Sequence, residues 1–558
     1  MRDAGRVRSP DSDQPRKLVG VCSPRHRDGG RRLFGSLAAA FPVSFEPRAP
    51  GEWRGLDAAL VLGILPAESQ PPPELPCLVM PYEPAESGGE VAGSCRLHSD
   101  PELARVLHGQ TLRDEHAPLD PPLATGPADT VLGSGSRGTL WARIGRSGAA
   151  LYASAAACDD LAGYEVLRDA LRPGRFLGLL PLVHFLRRAT RDPAWTQPGL
   201  RALFVIDDPN LRWTSYGHLN LRRLAEHAEA HGYHAALGMI PLDSRFPNRA
   251  AVGTVAGSKR LSMVAHGANH EGPELLHTRS PEQARRMLAQ AQRRLDRFEA
   301  RTGLAVERVM IPPHGVCSME SMAAMLELGY EGVCTFWPFP QPPGAVPAGW
   351  PLAGWEPAQL LAGGLPVLPR YPLTDHPLED LVLRAFLDQP LVVFGHHWDL
   401  ADDLDRVAEV AAFVERLGPV RWESAARLAR SNFSTRRDGE LFRVRMFGRQ
   451  AALEMPSGCS ALSIEVPRCH GGGRRHHVVV DGRSSVLTTS SESDARVAVD
   501  VEQGRVTVRL VPELRHDPDS VPRPPVRMRP VLRRLATEAR DRSLPALSRL
   551  PGDGRRIP

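Results

Sequence analysis

The sequence predicts an α/β protein built around a (β/α) barrel, with an N-terminal α/β domain and a C-terminal β-sandwich. Three observations lead there. Between residues 198 and 430, short apolar runs alternate with amphipathic stretches about eight times, the pattern of parallel strands joined by helices. Two of those runs end in chemically loaded motifs, Asp207-Asp208 and His266-Gly-Ala-Asn-His270. The chain's 558 residues also exceed what a single core holds, so flanking domains are expected.

Residues 1–16 are polar and read as a disordered tail, without the apolar segment of a secretory signal. From Lys17, strands at Leu18–Cys22, Ala58–Leu62 and Leu75–Met80 and helices at Arg31–Ala40 and Pro101–Leu112 predict a flavodoxin-like α/β domain over 17–116. Residues 117–197 begin as a Pro-rich linker to Asp129. They alternate like hairpins over 130–154 and end in a helical stretch from Tyr164 to Arg191.

The barrel, 198–430, takes candidate strands at Ala202–Ile206, Ala235–Ile240, Leu261–Ala265, Arg308–Ile311, Gly332–Thr335, Pro366–Leu368, Leu391–Phe394 and Val420–Trp422. Helical periodicity fills most of the gaps, most clearly over Leu219–His231, Pro281–Thr302 and Asp402–Leu417. After Ser431 short alternating runs separated by turn residues predict the β-sandwich, 431–515. The remainder, 516–558, is rich in Pro and Arg and reads as a mostly disordered tail with a short helix at Pro530–Arg542.

Composition removes several function classes. The formal charge of +5 is small for this length, and no folded segment interleaves a basic stripe with aromatics, so nucleic acid is not an expected partner. The most apolar stretch, Phe176 to Phe185, is too short to span a bilayer, and no membrane partner is expected. The eight cysteines form no C-x-x-C pair, which argues against a disulfide framework or zinc ribbon and for a cytoplasmic protein with reduced thiols.

Carboxylates at the tip of a buried strand are costly unless they serve a metal or a reaction. Alone, the Asp207-Asp208 pair reads as a helix cap beside an arginine partner. With His266 and His270 after a neighbouring strand the balance reverses. Two imidazoles four residues apart can face the same way over a helical turn and grip one cation. Gly133-Ser-Gly135-Ser-Arg-Gly138 matches a dinucleotide loop, but a hairpin strand follows instead of a helix, so no nucleotide is assigned. Trp213, Tyr216 and His218 read equally as cleft or packing residues, and Trp337–Pro343 as a rigid loop.

On these motifs the sequence resembles the polysaccharide deacetylases of the NodB-homology, carbohydrate-esterase type. The Asp-Asp motif stands as Ile206-Asp207-Asp208-Pro209-Asn210, the His motif as His266–His270, and a later strand-end histidine as Gly395-His396-His397-Trp398-Asp399. The resemblance covers roughly 198–425 and implies a deacetylase-type barrel. It also implies Asp208, His266 and His270 as metal ligands, Asp207 as catalytic base, and one of His396 and His397 as general acid. The family's Arg-x-Pro motif, whose arginine orients the base, is replaced by Met310-Ile-Pro-Pro-His314-Gly315, and Arg370 is the candidate replacement cation.

The expected function is therefore a metal-dependent hydrolase removing an N-acyl or O-acyl (acetyl) group from a carbohydrate-like substrate. One carboxylate and two imidazoles suit Zn²⁺, with Co²⁺, Mn²⁺ or Fe²⁺ also compatible. Two rivals stand beside it: a glycoside hydrolase using Asp207 and Asp399, and a carbohydrate-binding or scaffold protein that has lost activity. Adjacent strand residues face opposite ways, so only one of His396 and His397 can aim into the cleft, and His396 is the expected one.

Overall fold

The computed structural model describes residues 16–23, 31–81, 91–119, 121–161, 164, 166–190, 195–278, 280–336, 353–401, 403–491, 493–502 and 504–547. Most of the expected N-terminal tail, the Trp337–Pro343 loop and the last eleven residues lie outside them.

Seven parallel strands close into a barrel: β1 (Arg201–Asp207), β2 (Ala235–Met239), β3 (Leu261–His266), β4 (Val306–Ile311), β5 (Gly332–Thr335), β6 (Leu365–Pro372) and β7 (Leu391–His396). β1 pairs with both β2 and β7, which completes the ring. The expected eighth strand is only Arg421–Trp422, paired with Arg201 and Ala202 below the point where β2 begins at Phe204. Trp422 is committed instead to stacking on Phe204, with ring centroids 5.1 Å apart.

Period-two alternation sorts these strands into two cores. Leu203 and Val205 of β1, Ala236 of β2, Val264 of β3, Val309 and Ile311 of β4, Cys334 of β5, Leu368 of β6, and Val392 and Phe394 of β7 fill the barrel. Ala202, Phe204 and Ile206 face the surrounding helices. The helix Ala425–Arg430 closes the strands' N-terminal end: its Ala425, Leu428 and Ala429 join the interior, and the Ala426 N–H donates to Glu307 at the start of β4 (2.9 Å). Chemistry is thereby left to the opposite end.

The described residues between 17 and 154 build a nine-stranded mixed sheet. Its parallel half holds Val43–Pro47, Lys17–Cys22, Ala58–Leu62, Cys77–Met80 and Leu151–Ser154. The antiparallel half continues through Gly138–Ile144, Thr130–Gly135, Val91–Leu97 and Thr111–Pro118. The boundary expected after 116 thus cuts through a strand, and the hairpins belong to the same sheet as the first strands.

The helix expected over Pro101–Leu112 is a short 3-10 turn, Arg105–Leu107, followed by strand. The buried Asp114 carboxylate holds that strand extended by accepting from the N–H groups of His116, Ala117, Phe176 and Leu177 at 2.7–3.0 Å. Those last two bonds also interrupt the stretch read as one helix from Tyr164 to Arg191. Among the described residues it is helical over Leu167–Ala170 and Leu180–Thr190. The apolar run Phe176–Phe185 is core, packed between the sheet and the barrel in one continuous cluster.

After the barrel, two four-stranded sheets share a core built from both. The chain then follows the barrel helix Pro281–Thr302, where Arg293 donates to the Val521 carbonyl (3.0 Å). It ends, among the described residues, in a 20-residue helix, Met528–Leu547. The short helix expected at Pro530–Arg542 is present and longer, and the disorder expected around it fails for the described residues, because three charged residues of the helix find partners on the barrel. None of the eight cysteines is paired, and no described helix is long and apolar enough to cross a membrane.

His184 sits in the core between sheet and barrel, edge-on to Trp141 and Tyr152. Burial pushes its pKa down from 6.5 to about 3. Below pH 6.5 the unfolded chain therefore takes up a proton that the folded chain refuses, so stability falls as pH drops toward 3. A His184→Leu variant is expected to lose less stability between pH 7 and pH 5 than the parent, measured by denaturant titration at both pH values.

Candidate metal centre

The inward series of three barrel strands does not stop at its apolar members. Leu203 and Val205 lead to Asp207, Val264 leads to His266, and Val392 and Phe394 lead to His396. On β6, Leu368 leads to Arg370. All four polar side chains therefore meet at the C-terminal mouth. Asp207 and Arg370 are both 1% exposed and form an ion pair, Nη1 to Oδ2 at 2.6 Å. The Arg370 guanidinium also lies over the Phe394 ring, 4.1 Å from its centroid, a contact that holds a desolvated cation in place. Asp207 Oδ1 is buried and makes no hydrogen bond among the described residues. It faces Gly238 on β2, where a Cβ would come within 3.3 Å.

Asp208 follows on the outward parity, yet it lies over the mouth. Its left-handed backbone (φ 74°) turns the chain at the strand tip, a conformation Asp tolerates better than most residues. Its Oδ1 lies 3.4 Å from His266 Nε2 and 3.2 Å from His270 Nε2. Ligands held tetrahedrally at about 2.0–2.1 Å from a zinc ion stand about 3.3 Å from one another, so the donor spacing fits a divalent cation. Asp208 Oδ1 and His266 Nε2 are buried without a hydrogen bond among the described residues, as atoms reserved for a ligand would be. The ligand atoms of the three residues all lie within 4.8 Å of one another.

Each donor is also set electronically. His266 Nδ1 faces the Ile311 carbonyl at 2.9 Å. A carbonyl only accepts, so the proton sits on Nδ1 and the Nε2 lone pair points at Asp208. Burial pushes His270 down to about 4, toward the neutral ligating form. Burial opposes charge on Asp208, but the protonated forms of His266 and His270 and the Arg534 cation favour it, and hold the carboxyl below its ordinary range until the imidazoles turn neutral to ligate.

The expected helical turn between the two histidines is absent. Residues 267–270 wind around the Glu274 carboxylate, which accepts from the N–H groups of Ala268, Asn269 and His270 at 2.7–2.9 Å. Gly267 and His270 both take positive φ to make this loop (61° and 59°).

His396 and His397 part as strand parity requires. Asp399 accepts from the His396 N–H (2.7 Å) and lies 3.6 Å from its Nδ1, while Thr374 donates to the other carboxylate oxygen (2.9 Å). Burial disfavours the His396 cation, but Asp399, Asp207 and Asp208 prevail and the pKa moves up. Trp398, half exposed, stacks on the imidazole at 4.2 Å. His397 is buried away from this group, against Tyr216 and 3.5 Å from Asp541.

Asp541 belongs to the terminal helix, whose role at the mouth escaped the sequence reading. Arg534 donates twice to Asp243 in the turn after β2 (2.7 and 2.9 Å). Glu538 accepts from Arg212 (2.7 Å) and Trp213 (2.9 Å) after β1, and Asp541 accepts from Tyr216 (2.7 Å). Arg533 donates to the His270 carbonyl (2.9 Å). Trp213 and Tyr216 thus anchor the helix. The usable signal was that Arg534, Glu538 and Asp541 recur at helical spacing. The turn Pro312–Gly315 offers little as an oxyanion site: its prolines have no N–H, and Gly315 donates to Pro312 (2.9 Å). The exposed His314 N–H remains.

No family model and no curated protein matches this sequence. Among solved structures, a protein from Mycobacterium smegmatis described as a polysaccharide deacetylase is similar at 14% identity and a TM-score of 0.31, over 42% of this chain and 90% of that one. A T48 deacetylase solved with substrate is similar at 11% identity and a TM-score of 0.24, over 41% and 90%. The Xyl-CE4 domain of a multidomain xylanase from the hindgut metagenome of Trinervitermes trinervoides is similar at 10% identity and a TM-score of 0.26, over 42% and 90%. Likeness this low transfers no residue role, so the chemistry rests on this chain's own geometry.

Proposed function

We propose that this protein is a metal-dependent hydrolase that removes an N-acyl or O-acyl group, acetyl in the simplest case, from a carbohydrate-like substrate. The observation that carries the reading is the convergence at one barrel mouth of a ligand-spaced Asp208–His266–His270 group with the separately paired Asp207 and with His396. Held by that group, a divalent cation, with zinc the first choice, supplies a Lewis acid for the acyl carbonyl.

The chain's own residues divide the remaining work. Asp207 takes a proton from the attacking water through Oδ1, while Arg370 fixes the carboxylate through Oδ2. Arg370 thus serves as the orienting cation that the missing Arg-x-Pro motif would supply. His396, aligned by Asp399 and with its pKa moved up by the surrounding carboxylates against the effect of burial, gives a proton to the departing nitrogen or oxygen. Trp398 beside it offers a flat apolar face of the kind on which sugar rings rest. The glycosidase alternative fares worse. It needs one protonated carboxyl, whereas Asp399 is held below its ordinary range by His396 and Thr374 despite burial, and Asp207 is ion-paired.

Purified protein is expected to carry about one divalent metal per chain by elemental analysis. Asp208→Ala, His266→Ala and His270→Ala are each expected to lose it; stoichiometric metal in all three variants would rule the centre out. Acetate release from a panel of N- and O-acetylated sugars tests the reaction itself.

Asp207→Asn is expected to keep the metal and lose turnover by about a hundredfold or more, because the base goes and the ligands stay. Joint loss of metal and activity would mean that the two aspartates have been assigned the wrong way round.

His396→Ala is expected to cut turnover by about a hundredfold with unchanged metal content. His397→Ala should act more mildly on turnover and instead loosen the terminal helix, seen as faster amide exchange over Met528–Leu547.

A further inference from the structure

The terminal helix Met528–Leu547 is amphipathic in the inverse sense. Its inward stripe is Pro530, Arg534, Glu538 and Asp541, all buried against the barrel mouth. Large apolar side chains face away from the protein instead: Met528 is 62% exposed, Leu532 61% and Leu535 49%, and Val526 just before the helix is 94% exposed. In helical projection Met528, Leu532, Leu535 and Ala539 share one arc. Arg529, Arg533 and Arg540 line one edge of that arc, and Arg542 lines the other.

Charge identifies the occupant. Between Val521 and Leu544, Arg523, Arg527, Arg529, Arg533, Arg540 and Arg542 are exposed, whereas both acids of the segment, Glu538 and Asp541, are buried. Arg533, Arg540 and Arg542 also reach the His270 carbonyl, Asp541 and the Trp213 ring, and Arg523, Arg527 and Arg529 lead the exposed charge. An apolar strip of flexible aliphatic side chains bordered by cations, with no exposed acid of its own, complements a surface that is apolar beneath and anionic above. We propose that this outward face docks the protein on an anionic lipid surface, lying in the interface without crossing it. Leu532, Leu535 and Met528 enter the acyl boundary, and Arg523, Arg527 and Arg529 meet lipid phosphates. The inward face is fastened to the loops after β1, β2 and β7, and Arg533 at its edge to the loop after β3, so docking sets the mouth of the barrel beside that surface.

Vesicle co-sedimentation of the full chain tests this independently of any enzymatic activity. Binding is expected to vesicles of phosphatidylcholine and phosphatidylglycerol in equal parts, to weaken in high salt, and to be absent with phosphatidylcholine alone. Leu532→Glu/Leu535→Glu is expected to lower partitioning about tenfold or more, with metal content and circular dichroism unchanged. Arg527→Gln/Arg529→Gln, at exposed positions away from the helix's anchoring pairs, is expected to weaken it as well and covers the case in which the leucine variant misfolds. Absence of binding to the mixed vesicles, or unchanged binding in both variants, would overturn the proposal. So would a self-dimer in analytical ultracentrifugation that the leucine variant abolishes, which would assign the stripe to a second copy of the chain.

Discussion

Closure of seven parallel strands into one ring leaves each strand a single inward series, and the site depends on that constraint. A side chain that points inward at the apolar waist is followed two residues later by one that points into the mouth. Asp207, His266, Arg370 and His396 all occupy that next inward position. Nothing about the four needs local design beyond placement at the end of an apolar series. The exception is Asp208, which has the wrong parity and reaches the mouth only through a left-handed turn. Backbone strain at that residue, next to one of the most buried ion pairs in the molecule, is where the fold gives up local comfort for geometry.

The Asp207–Arg370 pair shows how a buried carboxylate remains both charged and half free. One oxygen is neutralised by a guanidinium that lies over an aromatic ring; the other has no partner among the described residues. Removing the arginine would leave an uncompensated buried charge, a loss of about 3–5 kcal/mol in comparable pairs. The same economy appears at Glu274, whose carboxylate organises the backbone of the histidine loop through the N–H groups of Ala268, Asn269 and His270. Orientation in this centre is set one layer behind the donors, by the Arg370 and Glu274 side chains and, at His266, by the Ile311 carbonyl.

The terminal helix reverses the usual division between a greasy inside and a charged outside. Arg534, Glu538 and Asp541 are buried because each meets an opposite charge or a hydrogen-bond donor on the barrel rim. Such pairing is the condition under which burying charge is tolerated. Composition alone allowed only a short helix, Pro530–Arg542, in an otherwise disordered-looking segment, since its apolar residues are few and its arginines many. Its order comes from partners hundreds of residues earlier, Arg212 being 326 positions from Glu538.

What the sequence determined by itself was local and periodic. Alternation in the apolar runs marked all seven barrel strands. Strand parity separated His396 from His397, and the two short motifs named every member of the ligand-spaced triad. These readings succeed because strand direction and side-chain parity are properties of a few consecutive residues. Tertiary structure decided the rest: that the ring closes with seven strands, that the first strands and the later hairpins form one sheet, and that the histidine motif is a loop around Glu274 where a helical turn was expected. It also chose Arg370 as the partner of Asp207, 163 residues away, and seated the last helix on the mouth. Each of those outcomes is a choice among distant partners, and only the folded chain brings such partners close enough for charge and burial to decide between them.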